Sequence, residues 1–253
     1  MCLIAIAYRV NPRYPLIVLA NRDEYYARPT APMAEWKDHP GLFAGRDLHS
    51  GGTWMGMTRS GRFAAVTNYR EVPAREYENS RGHLVTGYLT GAMSSEAYLQ
   101  QLGANAQNYA GFSLLLADCE HLCFFSNREH IIRKLPPGIY GLSNHLLDTP
   151  WPKVVRLKQA IESCLDKPEP NGLMAPLAST QPASDEKLPS TGVGVELERR
   201  LSPCFIESRD YGTRSSHLVM IDERHEVLMH ERSYGPEGRF LGERVARFSI
   251  DPG

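Results

Sequence analysis

The sequence has no surplus of positive charge, because its 28 lysines and arginines are balanced by 29 aspartates and glutamates. A protein that binds along a duplex needs basic residues to neutralise the phosphates, so we expect no nucleic-acid partner. Long apolar runs are also missing. Segments such as residues 16–20 and 112–117 fall far short of the roughly twenty residues that cross a bilayer. These absences exclude a general nucleic-acid-binding protein and predict a chain with no membrane span.

Cysteine is scarce, and the five scattered cysteines do not form the even, regularly spaced set that a disulfide framework needs. The apolar first residues have no basic residues before them and no small-residue cleavage site after them, so they predict a first strand rather than an export signal. Both observations indicate a reducing, cytoplasmic location. The composition, with 42% hydrophobic and 23% charged residues, is typical of a globular protein. We predict one domain over residues 1–253.

The hydrophobic pattern predicts β-hairpins that are separated from two helical blocks. The predicted strands are residues 2–8, 16–20, 53–58, 62–68, 111–117, 122–125, 138–142, 217–221 and 226–230. Helical spacing of apolar residues occurs at 84–89, 97–102 and 150–165. The proline-containing residues 21–50 are predicted to be irregular, and residues 166–194 to be a proline-rich excursion with a short helix. Hairpins and helices segregated in this way indicate an α+β layered fold.

Cys2 is the first candidate for chemistry. If the initiator methionine is removed, Cys2 carries both a thiol and a free α-amine, whose ordinary pKa is about 8. The amine can then act as a base for the thiol of the same residue. The alternative is that Cys2 is a small buried strand residue, which is common for a free cysteine.

Four polar residues, Asn21 to Glu24, follow directly after the second apolar strand. In a hairpin the end of one strand lies beside the start of the other, so these residues should lie close to Cys2. The Arg22 guanidinium would then favour a thiolate, and Asp23 could accept a hydrogen bond from the α-amine. The alternative is a surface ion-pair cluster that closes a strand end.

The segment Asn21-Arg22-Asp23-Glu24 is the signature of the NRDE proteins, the transport and Golgi organization family, and the chain resembles this family along nearly its whole length. Further segments similar to the family are MCLI at 1–4, GGTWMG at 51–56, TNY at 67–69, RGHLV at 81–85, YGLSN at 140–144, TPWPK at 149–153 and YGTR at 211–214. They occur in family order. The stretch that matches poorly is the excursion at 166–194.

The resemblance implies a four-layer αββα sandwich of antiparallel sheets, like that of the N-terminal-nucleophile hydrolases with a terminal cysteine. By this similarity Cys2 matches the nucleophile, and Arg22 and Asp23 match the arginine and aspartate that position it. Asn68 and Asn144 match the asparagines that bind the oxyanion, where a side-chain amide stabilises developing negative charge. The implied activity is hydrolysis of a non-peptide amide bond.

The same resemblance implies a second activity, because NRDE proteins are linked to haem trafficking and to acyl-CoA binding. We expect haem first and acyl-CoA second as the bound ligand, with no required cofactor and with a protein acceptor for the ligand. The ligand-binding residues are expected to be Asn21, Arg22, Asp23, Glu24, Trp54, Tyr69 and Arg214. No metal site is expected, because the histidines lack zinc-protease spacing. A carrier of a hydrophobic anion is the first hypothesis, and an amidohydrolase is the second.

Overall fold

The computed structural model describes residues 2–72 and 77–251. The strands are β1 (Cys2–Tyr8), β2 (Leu16–Tyr25), β3 (Thr30–Trp36), β4 (His39–Asp47), β5 (Met55–Thr58), β6 (Phe63–Asn68), β7 (Phe112–Ala117), β8 (Leu122–Ser126), β9 (Ile132–Leu135), β10 (Gly138–Leu142), β11 (Tyr211–Ile221), β12 (Glu226–Tyr234) and β13 (Phe240–Ser249). The α-helices are α1 (Gly82–Thr90), α2 (Ser95–Gly103), α3 (Pro152–Ser163), α4 (Pro170–Met174) and α5 (Val195–Arg200). Over the residues described, no helix combines the length and apolar character needed to cross a membrane.

The strands form two antiparallel sheets. The first sheet has the order β10-β1-β2-β11-β12-β13, and the second runs β3-β4-β5-β6-β7-β8-β9. Strand β1 is apolar along its whole length because both of its faces are covered: Ile4 and Ile6 face the second sheet, whereas Leu3 and Ala5 face α3. A strand that is buried on both faces needs no polar alternation.

Three apolar layers hold the sheets and helices together. One core lies between the two sheets. A second core packs α1 and α2 against the second sheet, and a third packs α3 and α4 against the first sheet. The predicted face of α3 is confirmed, since Val154, Leu157 and Ile161 are buried in this third core. The result is the αββα order of layers that was predicted.

The prediction that residues 21–50 are irregular is wrong, because this segment continues β2 and forms β3 and β4. The structure accommodates Pro32 because it lies on an edge strand and at a break in strand pairing. Strand β3 is an edge strand, and Pro32 lies where the β3–β4 register shifts between Ala31 and Ala34. Edges and bulges are the places where a strand accepts proline. Strands β9 and β13 were also not predicted.

The proline-rich excursion at 166–194 contains the predicted short helix, α4, followed by 3-10 turns at Ala175–Ala178 and Asp185–Lys187. It packs onto the first sheet through Leu173, Met174 and Leu177, which are buried in the third core. The excursion is therefore part of the helical layer beneath β1 and β2.

Candidate ligand site beside the N-terminal strand

The hairpin of β1 and β2 places Cys2 directly opposite Arg22. Arg22 is in turn opposite Ser215 of β11, and Ser215 is opposite Ser233 of β12. Direct cross-strand partners share a face of the sheet, so these four side chains form a row. All four line one cavity of about 700 Å³. The predicted proximity of Cys2 to the polar end of β2 is confirmed.

Strand alternation divides the four signature residues between the two faces of the sheet. Arg22 and Glu24 share the face of Cys2 and line the cavity. Asn21 points toward the helical layer, where it is fully buried and donates hydrogen bonds to the carbonyl oxygens of Leu177 and Cys204, each at 2.8 Å. Asn21, expected as a ligand contact, is not among the residues that line the cavity.

Asp23 also belongs to the helical side of the sheet, although it reaches the edge of the cavity. The Thr213 hydroxyl donates to Asp23 Oδ1 at 2.7 Å. Burial raises the pKa of Asp23, while the charge of Lys153 is the largest influence that lowers it. Lys153 is itself buried and donates to the Leu201 carbonyl oxygen at 3.0 Å, and burial lowers its pKa. A buried acid and a buried base therefore lie beneath the Cys2 row.

The Cys2 thiol is largely buried at the wall of the cavity. Burial raises the pKa of Cys2 to about 11, and the charges of Asp23 and Glu24 act in the same direction. The terminal amine and Arg22 act in the opposite direction without reversing the effect. In this state of the chain the sulfur is a neutral thiol at pH 7, which is a poor nucleophile because the thiolate is the reactive form.

Several arginines line the cavity, and they differ in their partners. Arg28 forms hydrogen bonds with both carboxylate oxygens of Asp47, and Arg46 forms two with Asp38. Arg81 instead donates to the carbonyl oxygen of Gly111 at 3.0 Å. These contacts leave the charge of Arg81 without a carboxylate partner among the residues that the structure describes.

Arg214 resembles Arg81 in this respect. Its Nη1 donates to the carbonyl oxygens of Tyr25, Tyr26 and Arg28, at 2.9 to 3.3 Å. Burial lowers the pKa of both Arg81 and Arg214. A half-buried guanidinium held by carbonyl oxygens keeps its full positive charge, so the cavity is prepared to receive an anion.

Of the other predicted site residues, two line the cavity and two lie away from it. Asn68 and Trp54 are among the residues that line the cavity. Asn144 is fully buried, and its amide donates to the carbonyl oxygen of Asn68 at 3.1 Å. Tyr69 lies off the cavity, with its hydroxyl 2.8 Å from His145 Nε2. The structure therefore does not place Asn144 or Tyr69 where the predicted oxyanion and ligand contacts require them.

Sequence reasoning missed Arg81 and Lys153 as site residues. Both lie in segments that carry the family resemblance, RGHLV at 81–85 and TPWPK at 149–153, but a single sequence gave no reason to place them near Cys2. Arg81 immediately precedes α1, whose first turn packs closely against the segment between β4 and β5. A Cβ at Gly52 would lie 2.7 Å from the Gly82 carbonyl carbon.

A second cavity, of about 960 Å³, adjoins the first, and the two share Glu24 and Asn68 as wall residues. Its lining is more apolar and includes Leu197, Phe205 and Ile206. A ligand with an acidic end and an apolar body could occupy both spaces.

The cavity beside Cys2 also contains side chains that can ligate haem iron, a thiol at Cys2 and an imidazole at His49. Among the described residues, no group of three or more His, Cys, Asp or Glu side chains is arranged to hold a metal ion.

The sequence is similar to that of proteins in a known family. A profile of the family described as Transport and Golgi organisation 2 matches residues 1–236. The Transport and Golgi organization protein 2 homolog of Bos taurus is 33% identical over 259 residues, which cover 92% of this chain and 93% of the relative. The Homo sapiens homolog is 31% identical, with coverage of 92% and 93%.

Among solved structures, the chain is similar to a conjugated bile acid hydrolase from Clostridium perfringens. The TM-score is 0.51 at 8% identity, and the match covers 100% of this chain and 98% of the other. At so low an identity the similarity speaks for the fold alone. The predicted N-terminal-nucleophile hydrolase-like sandwich is thereby confirmed.

Proposed function

Since the chain belongs to the Transport and Golgi organisation 2 family, we propose that it binds and passes on a hydrophobic anion in the cavity beside Cys2. Haem is the first candidate and an acyl-CoA the second. The observation that carries the proposal is the pair Arg81 and Arg214, whose guanidinium groups line the cavity and donate hydrogen bonds to backbone carbonyl oxygens. The cavity volume of about 700 Å³ falls within the range of about 300–1,000 Å³ found for small-molecule sites.

The charges favour an anionic ligand on energetic grounds. A guanidinium removed from water without a counter-ion raises the free energy of the folded protein, and a carboxylate or phosphate from a ligand offsets this cost. The propionates of haem and the phosphates of an acyl-CoA both supply such groups. Arginine suits them because its planar donors match two acceptor oxygens at once.

The apolar part of the ligand has two surfaces available. Trp54 offers a half-buried ring at the cavity wall, and the adjoining apolar cavity begins at Glu24 and Asn68. His49 or Cys2 would serve as an iron ligand if haem is the cargo. A carrier needs binding without turnover, and the neutral Cys2 thiol, with its pKa of about 11, is consistent with that requirement.

Titration of the purified protein with haem, followed by absorbance, tests this proposal. We expect saturable binding that weakens about tenfold or more in Arg81→Gln and in Arg214→Gln, because each loses a charge-assisted contact. Arg224→Gln is the matched control, since Arg224 is exposed in the turn between β11 and β12. Equal affinity in all four proteins would contradict the proposal. A parallel titration with palmitoyl-CoA by calorimetry decides which anion binds more tightly.

A second candidate function is amide hydrolysis, favoured by the presence of the Cys2 side chain on the cavity wall beside Arg22. Removal of Met1 would free the α-amine. The thiol would then give its proton to this amine and attack the carbonyl carbon, with Asn68 facing the oxyanion. The solved structure with the similar fold is a hydrolase of conjugated bile acid. The placement of Asn144 off the cavity argues against a complete oxyanion site.

Intact-mass measurement and one variant separate the two functions. Hydrolysis requires a chain that begins at Cys2, together with loss of turnover on an amide panel in Cys2→Ala. The carrier function predicts that Cys2→Ala keeps most of its affinity for palmitoyl-CoA, which needs no iron ligand. Retention of Met1 in the purified protein would remove the hydrolytic mechanism.

A further inference from the structure

A row of polar side chains, distinct from Cys2, lies at the same cavity, and Ser215 and Glu231 are among the residues that line it. Ser215 and His217 lie two residues apart on β11 and share the cavity face, and Glu231 of β12 is the direct cross-strand partner of His217. Ser215 Oγ lies 2.7 Å from His217 Nε2, and His217 Nδ1 lies 3.8 Å from Glu231 Oε2. We propose that Ser215, His217 and Glu231 form a second reactive centre, in which Ser215 is a nucleophile for acyl transfer from anionic esters.

A bulge in β11 creates this placement. Thr213 pairs with Asp23 on the helical side of the sheet, and the register then shifts before Ser215. Without the shift, Thr213 and Ser215 would point to the same face, because residues two apart do so in a regular strand. The bulge therefore turns Ser215 toward the cavity, which is a known use of bulges beside functional sites.

The environment of His217 suits a general base. The ring is buried, and the ring of Trp54 meets it edge-on with centroids 5.2 Å apart. Burial lowers the pKa of His217, with Arg22 and His230 acting in the same direction and Glu231 opposing them. The imidazole is therefore neutral near pH 7. A neutral ring has one nitrogen free to accept the proton of a serine hydroxyl.

Glu231 is fixed in a way that selects the required tautomer. The Ser233 hydroxyl donates to its Oε1 at 2.8 Å, and the Met33 amide donates to its Oε2 at 3.0 Å. At 3.8 Å the Glu231 carboxylate lies beyond hydrogen-bond distance of Nδ1. Its negative charge favours the tautomer that carries a proton on Nδ1, so that Nε2 accepts from Ser215. This is the order of roles in a serine, histidine and acid triad, which is identified by geometry rather than by sequence order.

The chemistry needs only the ester and water. Ser215 Oγ forms a bond to the carbonyl carbon while its proton passes to His217 Nε2. The bond from that carbon to the leaving oxygen breaks, and the alcohol departs with the proton from His217. Water then attacks the Ser215 ester, giving its proton to His217, and the carboxylic acid leaves as Oγ recovers a proton. Arg22 is the direct cross-strand partner of Ser215, and its positive charge would stabilise the negative charge that develops on the carbonyl oxygen.

The cavity indicates the substrate class. Arg81 and Arg214 line the same space as Ser215, so an ester with a carboxylate or phosphate elsewhere in the molecule is the best match. The Ser215 reaction needs neither a bound haem or acyl-CoA nor the removal of Met1, because none of the reacting groups is the terminal amine or Cys2. The anionic substrate class rests on the same two arginines as the proposed function.

A tagged fluorophosphonate tests the proposal, because it reports a nucleophilic serine by forming a bond from Oγ to phosphorus as fluoride leaves. We expect the full chain to be labelled at Ser215, as mapped by peptide mass spectrometry. Labelling should be absent in Ser215→Ala and about a hundredfold slower or more in His217→Gln, which loses the base.

Ser216→Ala is the matched control. Ser216 is buried on the opposite face of the same strand, and its hydroxyl has no hydrogen-bond partner among the described residues. It should be labelled at the unmodified rate. If His217→Gln fails the check of folding by circular dichroism, Glu231→Gln replaces it. Absence of label at Ser215 in the folded, unmodified protein would overturn the proposal, as would undiminished labelling of a folded His217→Gln or Glu231→Gln variant.

Discussion

Cys2 and Arg22 are direct cross-strand partners at the open end of the β1–β2 hairpin, and both side chains face the same cavity. The pairing follows from hairpin geometry, so it does not depend on the rest of the fold. It gives the cavity a thiol and a fixed positive charge side by side.

The titration of Cys2 should respond to its charged neighbours. With a pKa of about 11, its reaction with iodoacetamide should still be accelerating above pH 9 in the unmodified protein. Glu24→Gln should shift the profile to lower pH, because a negative charge that disfavours the thiolate is lost. Arg22→Gln should shift it to higher pH. Mass spectrometry of the Cys2 peptide gives the rates, with exposed Cys119 as the internal control. A Cys2 profile that is already flat by pH 8 would contradict this description.

Asn21 should act on stability rather than on binding. Asn21→Ala leaves two buried carbonyl oxygens without their donor, which should lower the free energy of unfolding by about 2–4 kcal/mol. Asn105→Ala, at an exposed position, should change it by less than about 0.5 kcal/mol. Urea unfolding measures both. If the Asn21 variant is as stable as the control, the two hydrogen bonds to Leu177 and Cys204 do not contribute to the free energy of unfolding.

Lys153 and Asp23 should be energetically coupled. Lys153→Met removes the main charge that favours the buried Asp23 carboxylate, and the loss of this compensation should lower the free energy of unfolding by about 2–3 kcal/mol. Asp23→Asn in the same chain should recover at least about 1 kcal/mol of that loss, since no buried charge is then left unbalanced. A double-mutant cycle in urea measures the coupling. Simple additivity of the two changes would show that the charges act independently.

Gly52 should control the position of Arg81. A Cβ at residue 52 would meet the backbone of Gly82 at 2.7 Å, so Gly52→Ala must displace the start of α1. Haem affinity should then fall about as much as in Arg81→Gln, about tenfold or more. Gly103→Ala is the control, because a Cβ there has no neighbour within 4 Å. Unchanged haem affinity in a folded Gly52→Ala protein would show that the position of Arg81 does not control ligand binding.

The sequence was sufficient to predict the hairpins and the closeness of Cys2 to Arg22, because local pairing decides both. It could not assign faces to the residues from Asn21 to Glu24. The strand before them is apolar on both sides, so no alternation shows which residues point toward the cavity. Asn21 was consequently predicted as a ligand contact, whereas it holds the helical layer.

Other features depend on long-range packing. Strands β3 and β4 each contain a proline and no long apolar run, and they are stabilised by pairing at the edge of the second sheet. Arg81 and Lys153 reach the site from helical segments distant in sequence. The Ser215 placement depends on a bulge, and a shift of one residue in register leaves no reliable mark in a single sequence.

The central claim is that the ligand occupies the cavity at Cys2. Alkylation of Cys2 at pH 9 by iodoacetamide, with and without saturating haem, tests this location directly, with Cys119 followed in the same sample. The account predicts that haem slows alkylation of Cys2 to a small fraction of its free rate while Cys119 reacts unchanged. Saturable haem binding that leaves the Cys2 rate unaltered, or no saturable binding by either haem or palmitoyl-CoA, would contradict it.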